Sequence, residues 1–447
     1  MLNKILNSKL FSFTKSHDIK MLVLMGILYR VVLFCFYLHS NLFPDSGSFI
    51  DLGNKMLTLS LRGYSGERSP GYPLLYFLAF GSTRLTVILQ FGIGVITSVY
   101  WYKTLLNLNF SIKNSFWITL FLESFLHVFL YESSFLIETP VLFLISVVFY
   151  ILSNNYFEKK SLKLEIWLSL LLGYLVLMKP FFSYIPFLIY FFAVIYKFKF
   201  VNIVNRKMIL FIFPLMAYFG WSYVNKINTG YFVSTSFLGL NIAQNCVYFA
   251  EKGPPQYKWL SEPYAKHRDI YINENKDVAM SIWEAYGSGE YDYKEFTFPQ
   301  LSHEMGKYAK ETIVNNPKDY FYQVITKSWF DFWLVFGKKE FMPFRVDFFD
   351  SIMNFVWAIQ SLLLLFFKFS FLLLVPFYVV KFLWNRKISM ELIIVTVVFT
   401  TSLLQGLVTY GTNAKYSFPF EYLMIIVVLL FLKNNVTLPR FLSTFLQ

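Results

Sequence analysis

Long apolar runs separated by short, basic connections dominate this chain. Ten of them, near residues 20–40, 84–106, 113–131, 135–153, 163–178, 181–197, 208–225, 354–383, 390–409 and 416–432, approach or reach the length that crosses about 30 Å of hydrocarbon at about 1.5 Å per helical residue. The pattern predicts an all-α polytopic membrane protein with about ten transmembrane helices. Lys368 interrupts the run over residues 352–384 and offers two short spans in place of one tilted one. One span is expected, because two would put Lys381, Arg386 and Lys387 on the wrong side of the membrane.

Basic residues in the short connections mark the cytoplasmic side. With the N-terminus inside, the clusters Lys4, Lys9, Lys15 and Lys20, then Lys103 and Lys113, then Lys159, Lys160 and Lys163, then Lys197, Lys199, Arg206 and Lys207, then Lys381, Arg386 and Lys387, and finally Lys433 and Arg440 all fall inside. Residues 41–83 and 228–350 are then large external segments. Three units are expected: a seven-span module over 1–227 carrying external loop 41–83, an external and partly helical segment over 228–350, and a three-span module over 351–447.

Composition supports the same class: 56% of the 447 residues are hydrophobic, 21% aromatic and only 15% charged. The formal net charge of +13 is unevenly spread. Residues 228–350 hold 16 of the 27 acidic groups and 13 of the 40 basic ones, a net of −3, and the rest of the chain stands at +16. That distribution fits positive-inside loops against anionic lipid and argues against a nucleic-acid surface. Cys35 and Cys246 have no metal or redox spacing. No cleavage site follows the first apolar run, which is expected to be retained. The expected location is the plasma (inner) membrane.

Within the external segment, GYFVSTSFLGLNIAQN reads as an irregular or strand-like opening, followed by a polar stretch rich in Pro and Tyr and then two helices. Leu301, Met305, Tyr308 and Ile313 recur near helical spacing, and Asn316 with Pro317 starts the second helix. The tripeptide HRD at 267–269 shares its letters with a kinase catalytic loop but has neither a Gly-rich loop nor DFG beside it, so it reads as external surface.

Ionisable groups at the outer membrane face are costly and mark candidate chemistry. They are Asp45 with GERSPGYP downstream, Glu132 and Glu138 in YESSFLIETP, Lys179 in LMKPF, and Lys415 in TNAKYSFPF. Each also has a plainer reading. Asp45 suits the N-cap of an amphipathic interfacial helix with Phe49, Leu52, Met56 and Leu59 on one face, and Asp51 lies too far round that helix to pair with it. Glu67 and Arg68 read as a local ion pair, Glu132 and Glu138 as solvated loop acids, and Lys179 and Lys415 as snorkelling lysines.

Taken together, FPDSGSFIDLG, ERSPGYPLLYFL, FLIETPVLFL, LMKPF and KYSFPF resemble, in order and over nearly the whole chain, integral-membrane glycosyltransferases of the GT-C superfamily. The branch they resemble is that of the protein O-mannosyltransferases and the bacterial lipid A aminoarabinose transferase. Lys179 and Lys415 stand where that family usually has arginine, and Phe49 where it frequently has tyrosine. The charge is kept, but the bidentate phosphate geometry is not. The resemblance implies transfer of a sugar from a polyprenyl phosphate donor to an acceptor hydroxyl of a lipid, glycan or protein outside the cytoplasm, with inversion. Asp45 is then the general base and Glu138 a second acid that orients the acceptor or a divalent cation. Lys179, Lys415 and Arg68 take the donor phosphate, and Glu67, Glu132, Tyr72 and Tyr416 position the acceptor or the loops. No other cofactor and no resident metal site is implied. Two other classes use the same charges: a lipid-linked sugar flippase or transporter, and an envelope polysaccharide polymerase or ligase.

Overall fold

The computed structural model describes residues 2–196 and 204–435, with side chains from residue 17 onward. Lys197, Lys199 and Arg440 of the basic clusters lie outside the described residues. The helices in chain order are α1 (Leu2–Tyr37), α2 (Ser46–Leu57), α3 (Gly71–Leu78), α4 (Thr83–Asn107), α5 (Ile112–Glu123), α6 (Leu126–Glu132), α7 (Glu138–Ser153), α8 (Leu162–Met178), α9 (Tyr184–Ile195) and α10 (Ile212–Thr229). They continue with α11 (Leu238–Gln244), α12 (Lys258–Asn273), α13 (Ser281–Gly287), α14 (Phe298–Asn315), α15 (Pro317–Gln323), α16 (Phe330–Phe332), α17 (Asp347–Asn385), α18 (Met390–Val408), α19 (Asn413–Ser417) and α20 (Glu421–Asn435). Among the described residues there is no strand, only an isolated bridge between Asn41 and Ser134.

The protein is a helical membrane protein. Six helical segments are long and apolar enough to cross a bilayer: His17–Tyr37, Thr83–Asn107, Arg206–Thr229, Asp347–Asn385, Met390–Val408 and Asn413–Asn435. Glu138–Ser153 and Pro180–Ile195 are shorter apolar helices. Helices α7 and α20 are buried on nearly every side, which is why their sequences are apolar all round with no polar stripe. The outward face of α17 keeps Phe355, Leu362, Phe366, Leu373 and Val380 exposed, as lipid contact requires. Helix α17 is continuous through Lys368, as expected. Lys368 does not divide it, because its ammonium turns inward to Glu421 at 2.8 Å and to Ser417 Oγ at 2.6 Å.

The run over 113–131 is not one helix. It breaks between Glu123 and Leu126, where Phe125 is extended. The backbone groups freed there are satisfied by one side chain of α17: Leu126 N donates to Gln360 Oε1 at 2.7 Å, and Gln360 Nε2 donates to Ser124 O at 2.8 Å. A glutamine at membrane depth thus replaces the lost helical bonds. The break turns α6 so that Glu132 meets Arg30 of α1. The pair is bidentate, at 2.7 and 2.6 Å, with Glu123 at 3.4 Å on the same guanidinium. Glu132 is therefore no solvated loop acid; it is buried in this cluster.

The segment over 228–350 has its own core, built from Leu240, Cys246, Tyr257, Tyr264, Tyr291, Leu301, Met305 and Tyr308 among others. The stretch expected to be polar thus contributes its tyrosines to the interior, and it forms α12 and α13, with Pro263 accommodated inside α12. The expected strand-like opening is a turn leading into α11. Its backbone pairs with no strand: Ser236 N donates to Gly66 O at 2.8 Å and Thr235 Oγ1 to Glu67 O at 2.6 Å. Helix α14 and the Asn316–Pro317 start of α15 stand as expected. Arg268 of the HRD tripeptide pairs with Glu251 and Asp269 on the surface.

Removing Arg30 leaves two buried carboxylates facing each other. Arg30→Met should cost about 3–5 kcal/mol, the usual consequence of orphaning a buried ion. Gly94→Ala should also destabilise, because a Cβ there collides with the Glu132 carboxylate and stands 2.6 Å from Arg30 Nη2. Thermal unfolding in detergent checks both; unchanged midpoints would rule out this cluster as a structural tie.

Candidate active site

The loop between α1 and α2 is stapled to the turn before α7. Asn41 N donates to Ser133 O and Phe135 N to Asn41 O, each at 2.9 Å, while Ser46 Oγ donates to Phe135 O at 2.9 Å. Gln90 of α4 holds the same turn from below, with Nε2 donating to the carbonyls of Glu132 and Ser134 at 2.8 Å. These bonds bring the start of α2, and with it Asp45, to the start of α7, where Glu138 stands.

Asp45 occupies the N-cap position of α2, but its side chain makes no capping bond, so the expected cap is absent. Both carboxylate oxygens are engaged elsewhere: Oδ1 with Arg68 Nη2 at 2.6 Å and Oδ2 with Lys415 Nζ at 2.7 Å. The expected Glu67–Arg68 pair does not form either; Glu67 instead accepts from Ser65 Oγ at 2.7 Å. The Arg68 guanidinium is clamped between the Phe49 and Phe237 rings, 4.4 and 4.6 Å from their centroids, and also donates to Ser48 Oγ at 2.7 Å. Burial tends to raise the Asp45 carboxyl, but Lys415 and Arg68 outweigh it and hold Asp45 well below the usual carboxylate range. About a third of the side chain (34%) stays exposed, so the group remains reachable.

Lys415 is positioned by an anchored hairpin between α18 and α20. Gly411, with φ of +111°, makes a turn closed to L side chains, and a Cβ there would also strike Ala279. Ala414 N donates to Asp331 Oδ2 at 3.1 Å and Asn413 Nδ2 to Ser328 O at 2.8 Å. Beyond Lys415, Glu421 binds Lys368 at 2.8 Å and His127 at 2.7 Å.

Lys179 ends α8 and faces a narrow cavity lined by Glu138, Val141, Phe181, Phe182, Thr401, Gln405 and Tyr416, with room for about one water molecule. Its ammonium lies 3.5 Å from the centroid of the Tyr416 ring and 3.4 Å from Gln405 Oε1. Among the described residues no carboxylate ion-pairs with it. Burial pushes Lys179 down to about 7, against the pull of Glu138. Glu138 is 2% exposed, so it is not solvated, and its Oε2 has no hydrogen-bond partner among the described residues. The charges acting on Glu138 most strongly are Lys415, Asp45 and Lys179.

The structure thus gathers Asp45, Arg68, Glu138, Lys179, Lys415 and Tyr416. It draws Glu132 into the Arg30 cluster, while Tyr72 borders the site, packing on the Phe49 ring under Arg68 and donating to Gln90 Oε1 at 3.0 Å. Phe237 and Gln405 join the site unforeseen. Gln405 was legible as a polar residue inside an apolar run; Phe237 carried no signal. A divalent cation does not fit. Both Asp45 oxygens already accept from cations, and among the described residues no three His, Cys, Asp or Glu side chains form a ligand group. No family model, curated protein or solved structure matches this chain.

Because the folded Asp45 carboxyl lies below its unfolded value, its bridge stabilises above the unfolded carboxyl range of about pH 4 and is lost only as pH falls well below that. Asp45→Asn should therefore lower stability at neutral pH by roughly 1 kcal/mol after solvent screening, with the deficit persisting into mild acid. Unfolding midpoints measured across pH check this; a deficit that vanishes near pH 5, roughly one unit above the value of a free aspartate, would contradict the double bridge.

Proposed function

We propose that this protein is a glycosyltransferase that moves a sugar from a polyprenyl phosphate carrier to an acceptor hydroxyl, with inversion at the anomeric carbon. The observation that carries the reading is an ammonium lacking a carboxylate partner, Lys179, at a cavity it shares with Glu138 and Tyr416, next to the Asp45–Arg68–Lys415 cluster whose Lys415 faces the same Tyr416 ring. A buried cation beside apolar walls and an aromatic face suits an anionic group joined to a lipid. The resemblance to GT-C enzymes agrees with that chemistry. In this reading the ten apolar runs all cross the plasma membrane, the one over 113–131 as the broken pair α5 and α6, the N-terminus is cytoplasmic, and the site faces outward.

The acceptor oxygen attacks the anomeric carbon and passes its proton to Asp45. The bond from that carbon to the phosphate oxygen breaks on the opposite face, and its electron pair stays on the phosphate. Lys179, Lys415 and Arg68 hold the growing negative charge. Glu138 accepts a hydrogen bond from the acceptor and orients it, and Tyr416 carries both lysines on its ring.

Asp45→Asn should reduce transfer by about 10²-fold to 10⁴-fold, the usual contribution of a general base, without loss of membrane insertion. Substantial transfer by that variant removes Asp45 from the mechanism. Lys179→Ala should weaken use of the lipid phosphate donor. In the wild type, donor affinity should decline as pH rises through about 7, where Lys179 loses its charge. A flat affinity profile across that range argues against Lys179 as a phosphate contact. Comparing envelope glycans and glycolipids by mass spectrometry, with and without the protein, identifies the sugar and the acceptor together.

A further inference from the structure

Asp45 presents a conflict within the proposed reaction. A carboxylate whose two oxygens are held by Arg68 at 2.6 Å and Lys415 at 2.7 Å is a weak proton acceptor. The same two cations are those offered to the donor phosphate. One anion, belonging to the protein itself, therefore occupies the place where the ligand's anion would bind.

The two cations differ in freedom. Arg68 is wedged between Phe49 and Phe237, bonded to Ser48, and its loop is tied by Thr235 and Ser236. Lys415 has a flexible four-carbon stem and a point charge, and among the described residues it ion-pairs with Asp45 alone. Its ammonium is 5.2 Å from the centroid of the Tyr416 ring, the ring against which Lys179 rests at 3.5 Å. A small swing along that ring carries Lys415 from Asp45 towards Lys179, which has no carboxylate partner among the described residues.

We infer that Lys415 is an exchangeable latch: in the ligand-free protein it is neutralised by Asp45, and a lipid-linked phosphate seated beside Lys179 takes it over. The inference rests on the proposed carrier chemistry and adds an order of events to it. Donor binding removes one of the two cations restraining Asp45, so the base gains proton affinity only when there is a sugar to transfer. Arg68 stays bonded to Asp45 and keeps the carboxylate oriented, so its share in holding the phosphate is its charge at longer range. Before the donor arrives, the bridged Asp45 cannot activate water or an acceptor unproductively.

The test is equilibrium binding of polyprenyl phosphate to the full-length protein in nanodiscs, with the uncharged polyprenol of equal chain length as reference. Asp45→Asn removes the internal competitor, so it should bind polyprenyl phosphate about tenfold more tightly than the wild type, equivalent to about 1.4 kcal/mol. Polyprenol binding should not change. Lys415→Met should weaken phosphate binding, and in the double variant the gain from Asp45→Asn should disappear. A merely structural Asp45 predicts the opposite sign, since loosening the loop weakens binding. Equal or weaker phosphate affinity in Asp45→Asn overturns the latch while leaving the carrier reading standing. If the wild type binds polyprenyl phosphate no better than polyprenol, the carrier reading fails and the latch fails with it. Should Asp45→Asn not fold, Lys415→Met alone decides: phosphate affinity equal to wild type overturns the latch.

Discussion

The contact between Asp45 and Lys415 joins positions 370 residues apart, and much of the architecture serves to make it possible. Asp45 is held from one side by the staple between the first loop and the turn before α7. Lys415 is held from the other by the hairpin anchored on Asp331, Ser328 and the Lys368–Glu421 pair. Neither anchor is local in sequence. Arg68 completes the arrangement, with Phe237, just before α11, packed against it. The segment over 228–350 therefore contributes to the site.

A second constraint comes from the bilayer. Ionic and polar groups at membrane depth have no water to turn to, so they must find one another. Arg30 with Glu132 and Glu123, Lys368 with Glu421 and His127, and Gln360 with the broken backbone at Ser124 and Leu126 are three solutions to that demand. Each ties helices that are remote in sequence, and each costs desolvation that close geometry offsets. Lys179 and Glu138 do not follow the pattern: one lacks a carboxylate partner and the other has an unbonded oxygen among the described residues. Glu123, at the edge of the Arg30 cluster, also keeps an unbonded oxygen, so what sets the cavity apart is the missing carboxylate partner of Lys179.

Several particulars were open to reading from the chain alone, and several were not. The continuous helix over Asp347–Asn385 followed from the charge sides of Lys381, Arg386 and Lys387. Helix α14 followed from its apolar spacing, and the association of Asp45, Arg68, Glu138, Lys179 and Lys415 from their expected face. Capping by Asp45 was a reasonable expectation because the residue precedes an amphipathic helix; two long-range cations outcompeted the local backbone donors. Helix α12 was hidden because Pro254, Pro255 and Pro263 signal loops, whereas burial of Tyr257 and Tyr264 against α14 sustains it. Glu132 looked like its neighbour Glu138 because its partner, Arg30, lies inside an apolar run more than a hundred residues upstream.

Apolar periodicity, length and charge asymmetry determined by themselves that this chain is a helical membrane protein, because those properties are additive along the sequence and need no partner. They also marked which ionisable groups needed an explanation. Only the tertiary structure decided which charge neutralises which. An ion pair depends on distance in space, and a few ångströms separate a bridged carboxylate such as Asp45 from an acid with an unpaired oxygen such as Glu138. The same few ångströms assigned Glu132 to the scaffold and left Lys179 at the cavity without a carboxylate.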